Sequence, residues 1–221
     1  MGLMFFYTSK FNKPINNWDV SNVENMWQMF SYALSFNMPL NNWNVSKVTN
    51  MENMFSHAES FNQSLNNWDI SNVTNISRMF ANAKSFNKPL GNWDVSNIDS
   101  MVCLFIEATS FNQSLNNWDV SNVTDMSLMF AGATAFNKPL NKWNVSNVNC
   151  MNRMFANTHS FNQDISKWDV SNVNDMDFMF YNAKAFNQPL NNWNVCNVTV
   201  RTAIFSGCPI KTRFKPNFNS K

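Results

Sequence analysis

Apolar residues recur along this chain at two spacings inside a longer fixed period. In residues 111–135, Val123, Met126, Met129, Phe130 and Ala133 stand at i, i+3, i+6, i+7 and i+10, one face of an amphipathic helix. Ser121, just upstream, offers a hydroxyl to the unpaired amides of a first helical turn. Before it, Trp118 and Val120 alternate with Asn117, Asp119 and Ser121, the period-two pattern of a short strand with one buried face. Pro14, Pro39, Pro89, Pro139 and Pro189 each precede such a strand. Proline has no N–H for a ladder, so it marks a turn. The predicted order is turn, strand, cap, helix.

The pattern repeats every 25 residues without insertion. Trp falls at 18, 43, 68, 93, 118, 143, 168 and 193; Phe keeps the same step from 11 to 186 and again from 30 to 205. A fixed period of this length signals a solenoid, in which each unit buries its apolar face only against its neighbours. The expected fold is therefore an α/β solenoid of eight 25-residue coils, each with one short parallel β-strand and one short helix. Residues 1–10 form a partial N-terminal coil, 11–208 the eight-coil solenoid and 209–221 a C-terminal cap. Places in a coil are numbered below from its first Phe.

The string FNQSLNNWDVSNVTDMSLMFAGATAF at residues 111–136 resembles the roughly 25-residue repeat of BspA-like bacterial surface proteins, assigned to the leucine-rich-repeat class and also found in some large DNA viruses. The resemblance extends over about Met1 to Phe205. It implies a leucine-rich-repeat-like scaffold for adhesion or recognition, exposed on a cell or virion surface, with no family-wide catalytic site.

Composition narrows the functions. Charged residues are 14% of the chain and the formal net charge is +2, so no basic face for nucleic acid is expected. No stretch approaches the roughly 18 apolar residues of a membrane span, and MGLMFFYTSK lacks the charged n-region and cleavage site of a signal peptide. No membrane insertion is expected. Cys103, Cys150, Cys196 and Cys208 fall at unrelated places in their coils, which favours reduced thiols and a reducing compartment. His57 and His159 have no recurring nucleophile or acid nearby. The expectation is no enzyme, no cofactor and no metal.

Recurring residues read mainly as structure. The Trp column could stack on sugars, but Trp shares its strand face with Val or Ile in every coil, as core residues do. Ile76, Leu104 and Ile204 replace Met in register, so the Met columns read as packing rather than soft-metal sites. Asn12, Asn37, Asn62, Asn87, Asn112, Asn137, Asn162 and Asn187 form a column of amides, expected to bond along the solenoid as a structural ladder. Asp69, Asp94 and Asp119 form an exposed acidic column, either Asx turns or a site for a cation or basic partner. Apolar groups stand where other coils carry polar or small ones: Trp27, Leu34, Met38, Cys103, Ile106, Leu128, Phe178 and Tyr181. Cys103, Ile106 and Leu128 are one candidate patch for a protein or glycan partner, and Phe178 with Tyr181 another; the alternative is scattered surface singletons.

The chain opens in mid-repeat, so the strand at residues 16–20 has no strand before it. Such an edge templates association. A head-to-head homodimer through this edge is expected, with the tail at 209–221 blocking head-to-tail stacking. A structural, self-associating component and an intracellular protein–protein adaptor are the alternatives to a surface scaffold.

Overall fold

Consecutive coils are held by a backbone ladder whose register is 24 residues, as seen in the computed structural model, which describes residues 1–218. In the fifth coil the amides of Met126, Leu128, Phe130 and Gly132 donate to the carbonyls of Cys150, Asn152, Met154 and Ala156 at 2.8–3.0 Å. The amides between them, those of Met129, Ala131 and Ala133, fold back onto Met126, Leu128 and Phe130 at 3.0–3.2 Å. Alternate amides thus serve the next coil and the same coil, and places 16–23 are three overlapping four-residue turns.

The predicted helix across residues 123–133 is not formed. A helix needs unbroken right-handed backbone and i→i−4 bonds. Here Leu128 has φ 57° and Gly132 φ 70°, and both amides are spent on the next coil. The same two places, 18 and 22, are left-handed in every coil, at sixteen non-glycine residues and two glycines. Left-handed backbone costs an L-residue about 1 kcal/mol, so the inter-coil ladder must hold it. The overlapping turns bring places 16, 19, 20 and 23 inward, and these were the residues that read as a helical stripe. Ser121 caps no helix; its own amide donates to Asp119 Oδ1 at 3.1 Å.

The predicted strand also fails as a ladder element. The amides of Trp118 and Val123 close turns on Leu115 and Val120, both at 3.0 Å, and Ser121 is occupied by Asp119. None of these three amides is left for a neighbouring coil. Parallel pairing shrinks to isolated bridges at place 15, such as Asp125 with Cys150 and Cys150 with Asp175. Among the described residues the one helical element is a single 3-10 turn, Thr212–Phe214. The α/β class is therefore corrected to a solenoid of turns and extended segments, with neither a helix nor a sheet strand per coil.

Aromatic columns fill the interior. Within the fourth coil and into the fifth, Phe105 stacks on Phe111 at 4.0 Å, and each also stacks on its counterpart one coil on, Phe130 at 5.7 Å and Phe136 at 6.0 Å. Trp93 lies parallel to Trp118 at 6.4 Å. The indole N–H of Trp118 donates to the Leu90 carbonyl of the preceding coil at 2.9 Å, and the bond recurs from Trp43 to Trp193. From Trp43 onward each Trp thus fills the core and adds a second bond to a carbonyl that already closes a turn in the coil before it, as Leu90 does with the Trp93 amide at 3.1 Å. Thr158, wholly buried where six other coils place Ala, bonds the Phe130 carbonyl through its hydroxyl.

At the start, residues 1–7 continue the turn ladder as a half coil: Leu3, Phe5 and Tyr7 donate to Trp27, Met29 and Ser31 at 2.9 Å. At the other end the Lys211 amide takes Asn187 Oδ1 at 3.0 Å, and Leu190 donates to the Phe214 carbonyl at 2.7 Å. The last residues of the expected cap at 209–221, from 219 on, lie outside the described residues.

Candidate functional site

Left-handed backbone at places 18 and 22 sets two rows of side chains beside the turn ladder. Between them runs place 21, where Ser31, Ser56, Ala81, Ala131 and Ala156 are buried. Small buried residues flanked by two larger rows make a trough along the solenoid. It has two stretches, and Ile106, bulkier than Ala81 and Ala131 at place 21 of the coils on either side, lines both.

The stretch toward the C-terminus is a notch of about 380 Å³. Ala131 and Ala156 floor it, with Ile106 at one end and Tyr181 at the other. Leu128, Arg153 and Phe178 stand along one wall, Glu107 and Asn157 along the other. The Arg153 guanidinium lies over the Phe178 ring at 4.8 Å, a cation–π contact that presents an apolar face with a charged rim. Phe178 meets Tyr181 edge-on at 5.6 Å. A Cβ on Gly132 would displace the Glu107 carboxyl from its place beside it, whereas the left-handed φ itself is also held by Tyr32, His57 and Glu107 at the same place.

The stretch toward the N-terminus, about 480 Å³, is more polar. Tyr7, Tyr32 and His57 stack in a row along its wall at 4.3 and 4.2 Å. Burial lowers the His57 pKa, opposed by Glu59 and aided by Lys84. Arg78 and Cys103 face the same stretch, and burial pushes the Cys103 thiol up.

The candidate apolar residues are thus distributed differently from the two patches expected. Ile106, Leu128, Phe178 and Tyr181 line one notch together, while Cys103 is buried in the adjoining stretch. Trp27 is half-buried at place 17 and accepts the Leu3 amide through its carbonyl; it lines neither stretch. Leu34 is exposed, and Met38 packs against the core. The trough itself was missed, because it depends on backbone handedness at places 18 and 22. Asn or Gly at Asn82, Gly132, Asn157, Asn182 and Gly207 was the available signal, since these residues tolerate the left-handed region best.

The other columns are occupied with the backbone. Each place-2 Asn accepts, on Oδ1, the amide of the Asn one coil on, from Asn37 on Asn12 to Asn187 on Asn162, at 2.9–3.0 Å. Gln63, Gln113, Gln163 and Gln188 add side-chain bonds to the same oxygens. In the acidic column Asp69, Asp94 and Asp119 accept the amides of Ser71, Ser96 and Ser121 at 3.0–3.1 Å. Bonds from those serines, side chain first and backbone second, hold the three carboxyls below their ordinary pKa against slight burial; the Asp94 charge also opposes the shift at Asp69 and Asp119. Asn44, Asn144 and Asn194 make the same turn at 3.1–3.3 Å. Among the described residues no group of three His, Cys, Asp or Glu side chains is arranged to hold a metal ion, and no helix is long and apolar enough to cross a membrane. The Trp rings from Trp43 onward are buried, leaving Trp18 at 38% exposure at the N-terminal edge.

Among solved structures, the TLR13–ssRNA13 complex is similar at 10% identity and a TM-score of 0.24, over 82% of this chain and 38% of that one. The chain therefore spans well under half the length of that protein. None of the curated proteins matches. The model of one family matches twice, over residues 1–118 and 99–219, so that the two matches together take in every coil. The chain belongs to the family described as Mycoplasma protein of unknown function, DUF285.

Proposed function

We propose that this protein is a non-enzymatic recognition scaffold that holds a segment of a partner protein in the trough. The observation that carries this reading is the notch between Ile106 and Tyr181, where a regular surface gives way to a walled, mostly apolar cavity of about 380 Å³. A cavity of that size suits one or two large side chains. Arg153 and Glu107 at its rim supply the polar contacts that orient a ligand. The resemblance to BspA-like repeats supports recognition or adhesion at a surface as the setting. A glycan partner is less well supported, since the Trp column is spent on the core.

Selection of displayed peptides on the immobilised protein tests this. Enriched peptides should lose at least about tenfold in affinity when Ala156→Arg fills the notch, and keep their affinity in Asp94→Asn on the acidic column. Peptides that bind the wild type and Ala156→Arg equally would refute the trough as the recognition site.

A further inference from the structure

The trough continues past Ile106 into a stretch whose polar groups the fold leaves unused. Ser31 and Ser56 floor it, 2% and 5% exposed, at the place that Ala81, Ala131 and Ala156 fill in other coils without a hydroxyl. Neither hydroxyl has a hydrogen-bond partner among the described residues, whereas that of buried Thr158 bonds the Phe130 carbonyl. No side-chain polar atom sealed from solvent lacks a partner among those residues, so both hydroxyls open into the trough. Buried residues with unbonded hydroxyls burden a fold that alanine would satisfy. They point to a partner from outside.

Arg78 stands on the wall of the same stretch, one coil on from Ser56. It lies beside the Cys103 thiol, which burial keeps protonated. It has no carboxylate at ion-pair distance: among the described residues the one ion pair is Lys84 with Glu59. Glu52 is occupied with the Asn53 and Asn75 amides, and Glu107 lines the notch rather than this stretch. His57 stacks on Tyr32 and meets the Asn82 amide at 3.4 Å; burial lowers its pKa, so it is neutral at pH 7. The stretch therefore offers one positive charge beside hydroxyls that can donate.

We infer that this stretch receives a carboxylate side chain, Asp or Glu, from the same partner segment whose large apolar side chain enters the notch. The inference rests on the trough being the recognition site. Arg78 supplies the counter-charge and the Ser56 hydroxyl a second donor, both in charge-assisted bonds. Ser31, one coil further, is left for the backbone of the segment, as donor or acceptor. The coil of Arg78 lies two coils before that of Ala131 and three before that of Ala156. At about 4.8 Å per coil and about 3.3 Å per residue of extended chain, the acidic and apolar residues of the partner stand about three or four positions apart.

Peptide display on the immobilised full chain tests this, read as the sequences of the binders. Binders of the wild type should carry Asp or Glu about three or four positions from a large apolar residue. Such a peptide, remade with the corresponding amide, should lose about tenfold in affinity. On Arg78→Ala the same exchange should change nothing, and selection on Arg78→Glu should bring up Lys or Arg at that position. Ser56→Ala should weaken the acidic peptide about threefold. Alanine already stands at both places, as Ala203 and Ala81, so these variants should fold, which circular dichroism melts check. Binders that fail on Ala156→Arg yet show no acidic residue, or lose as much from the amide exchange on Arg78→Ala, would overturn the inference and leave the trough as the recognition site. Binders indifferent to Ala156→Arg, or no binders at all, would overturn both. A uronic-acid oligosaccharide that binds the wild type and not Arg78→Glu would give the site to a glycan and overturn the inference.

Discussion

Replacing Trp118 by alanine removes two things at once. The indole is 3% exposed and lies between stacked coils. A Trp side chain buries about 150–250 Å², which at about 25 cal/mol per Å² is about 4–6 kcal/mol of transfer free energy, in line with about 3–5 kcal/mol for large-to-small core changes. The substitution also removes the bond from the indole N–H to the Leu90 carbonyl at 2.9 Å, worth about 0.5–1.5 kcal/mol, while that carbonyl keeps the Trp93 amide at 3.1 Å. Relaxation of the coil recovers part of this, so about 4–6 kcal/mol is expected. Trp118→Phe keeps a smaller ring but lacks the donor, and the lost bond together with the lost volume should cost about 1–3 kcal/mol. Trp18 is 38% exposed and its indole N–H meets no carbonyl among the described residues, so Trp18→Ala should cost only about 2–3 kcal/mol by the same area reckoning. Urea melts followed by far-UV circular dichroism give the three values, with m-values checking that one transition is compared. Equal losses at Trp118 and Trp18, or a neutral Trp118→Phe, would refute the claim that each Trp from Trp43 onward serves both as core and as hydrogen-bond donor to a carbonyl of the coil before it.

Three further outcomes follow from the geometry. Asn137 Oδ1 accepts both the Asn162 amide and the Gln163 side chain, whereas Asn112 accepts only the Asn137 amide; Asn137→Ala should therefore lower stability by about 2–3 kcal/mol and Asn112→Ala by about 1–2 kcal/mol in thermal melts. At left-handed Asn53, φ 55°, glycine should be neutral to stabilising and valine should cost about 1–2 kcal/mol, the reverse of their order in a helix. The carboxyls of Asp69, Asp94 and Asp119 have pKa values lowered by the serine bonds, so their contribution is present above the ordinary carboxylate range and is lost as pH falls through the lowered folded values. Melting temperature should drop in acid, and less steeply in Asp94→Asn, which keeps the turn without the titration.

The 25-residue period and the buried Trp, Phe and Met columns were legible because burial by stacking forces the same residue type into the same place of every coil. Secondary structure was not. Met126, Met129, Phe130 and Ala133 fit a helical stripe, yet overlapping four-residue turns bring the same places inward. Spacing alone cannot separate the two when the apolar run is this short. The strand reading at Trp118 and Val120 competed with an Asx turn at Asp119 for the Ser121 amide, and the turn won because its oxygen is two residues away. The trough was hidden for a related reason. Arg153, Phe178 and Leu128 carry no left-handed signature of their own, and only the ladder to the next coil imposes it.

The central claim is that alternate amides bond across coils with a register of 24 residues rather than within a helix. Scalar couplings through hydrogen bonds, measured by NMR on isotopically labelled protein, read each donor–acceptor pair directly. The Phe130 amide should couple to the Met154 carbonyl, 3.0 Å away, and the Leu128 amide to the Asn152 carbonyl at 2.8 Å. Coupling of the Phe130 amide to Met126, four residues back, would mean that a helix occupies these places and would contradict the turn-built solenoid.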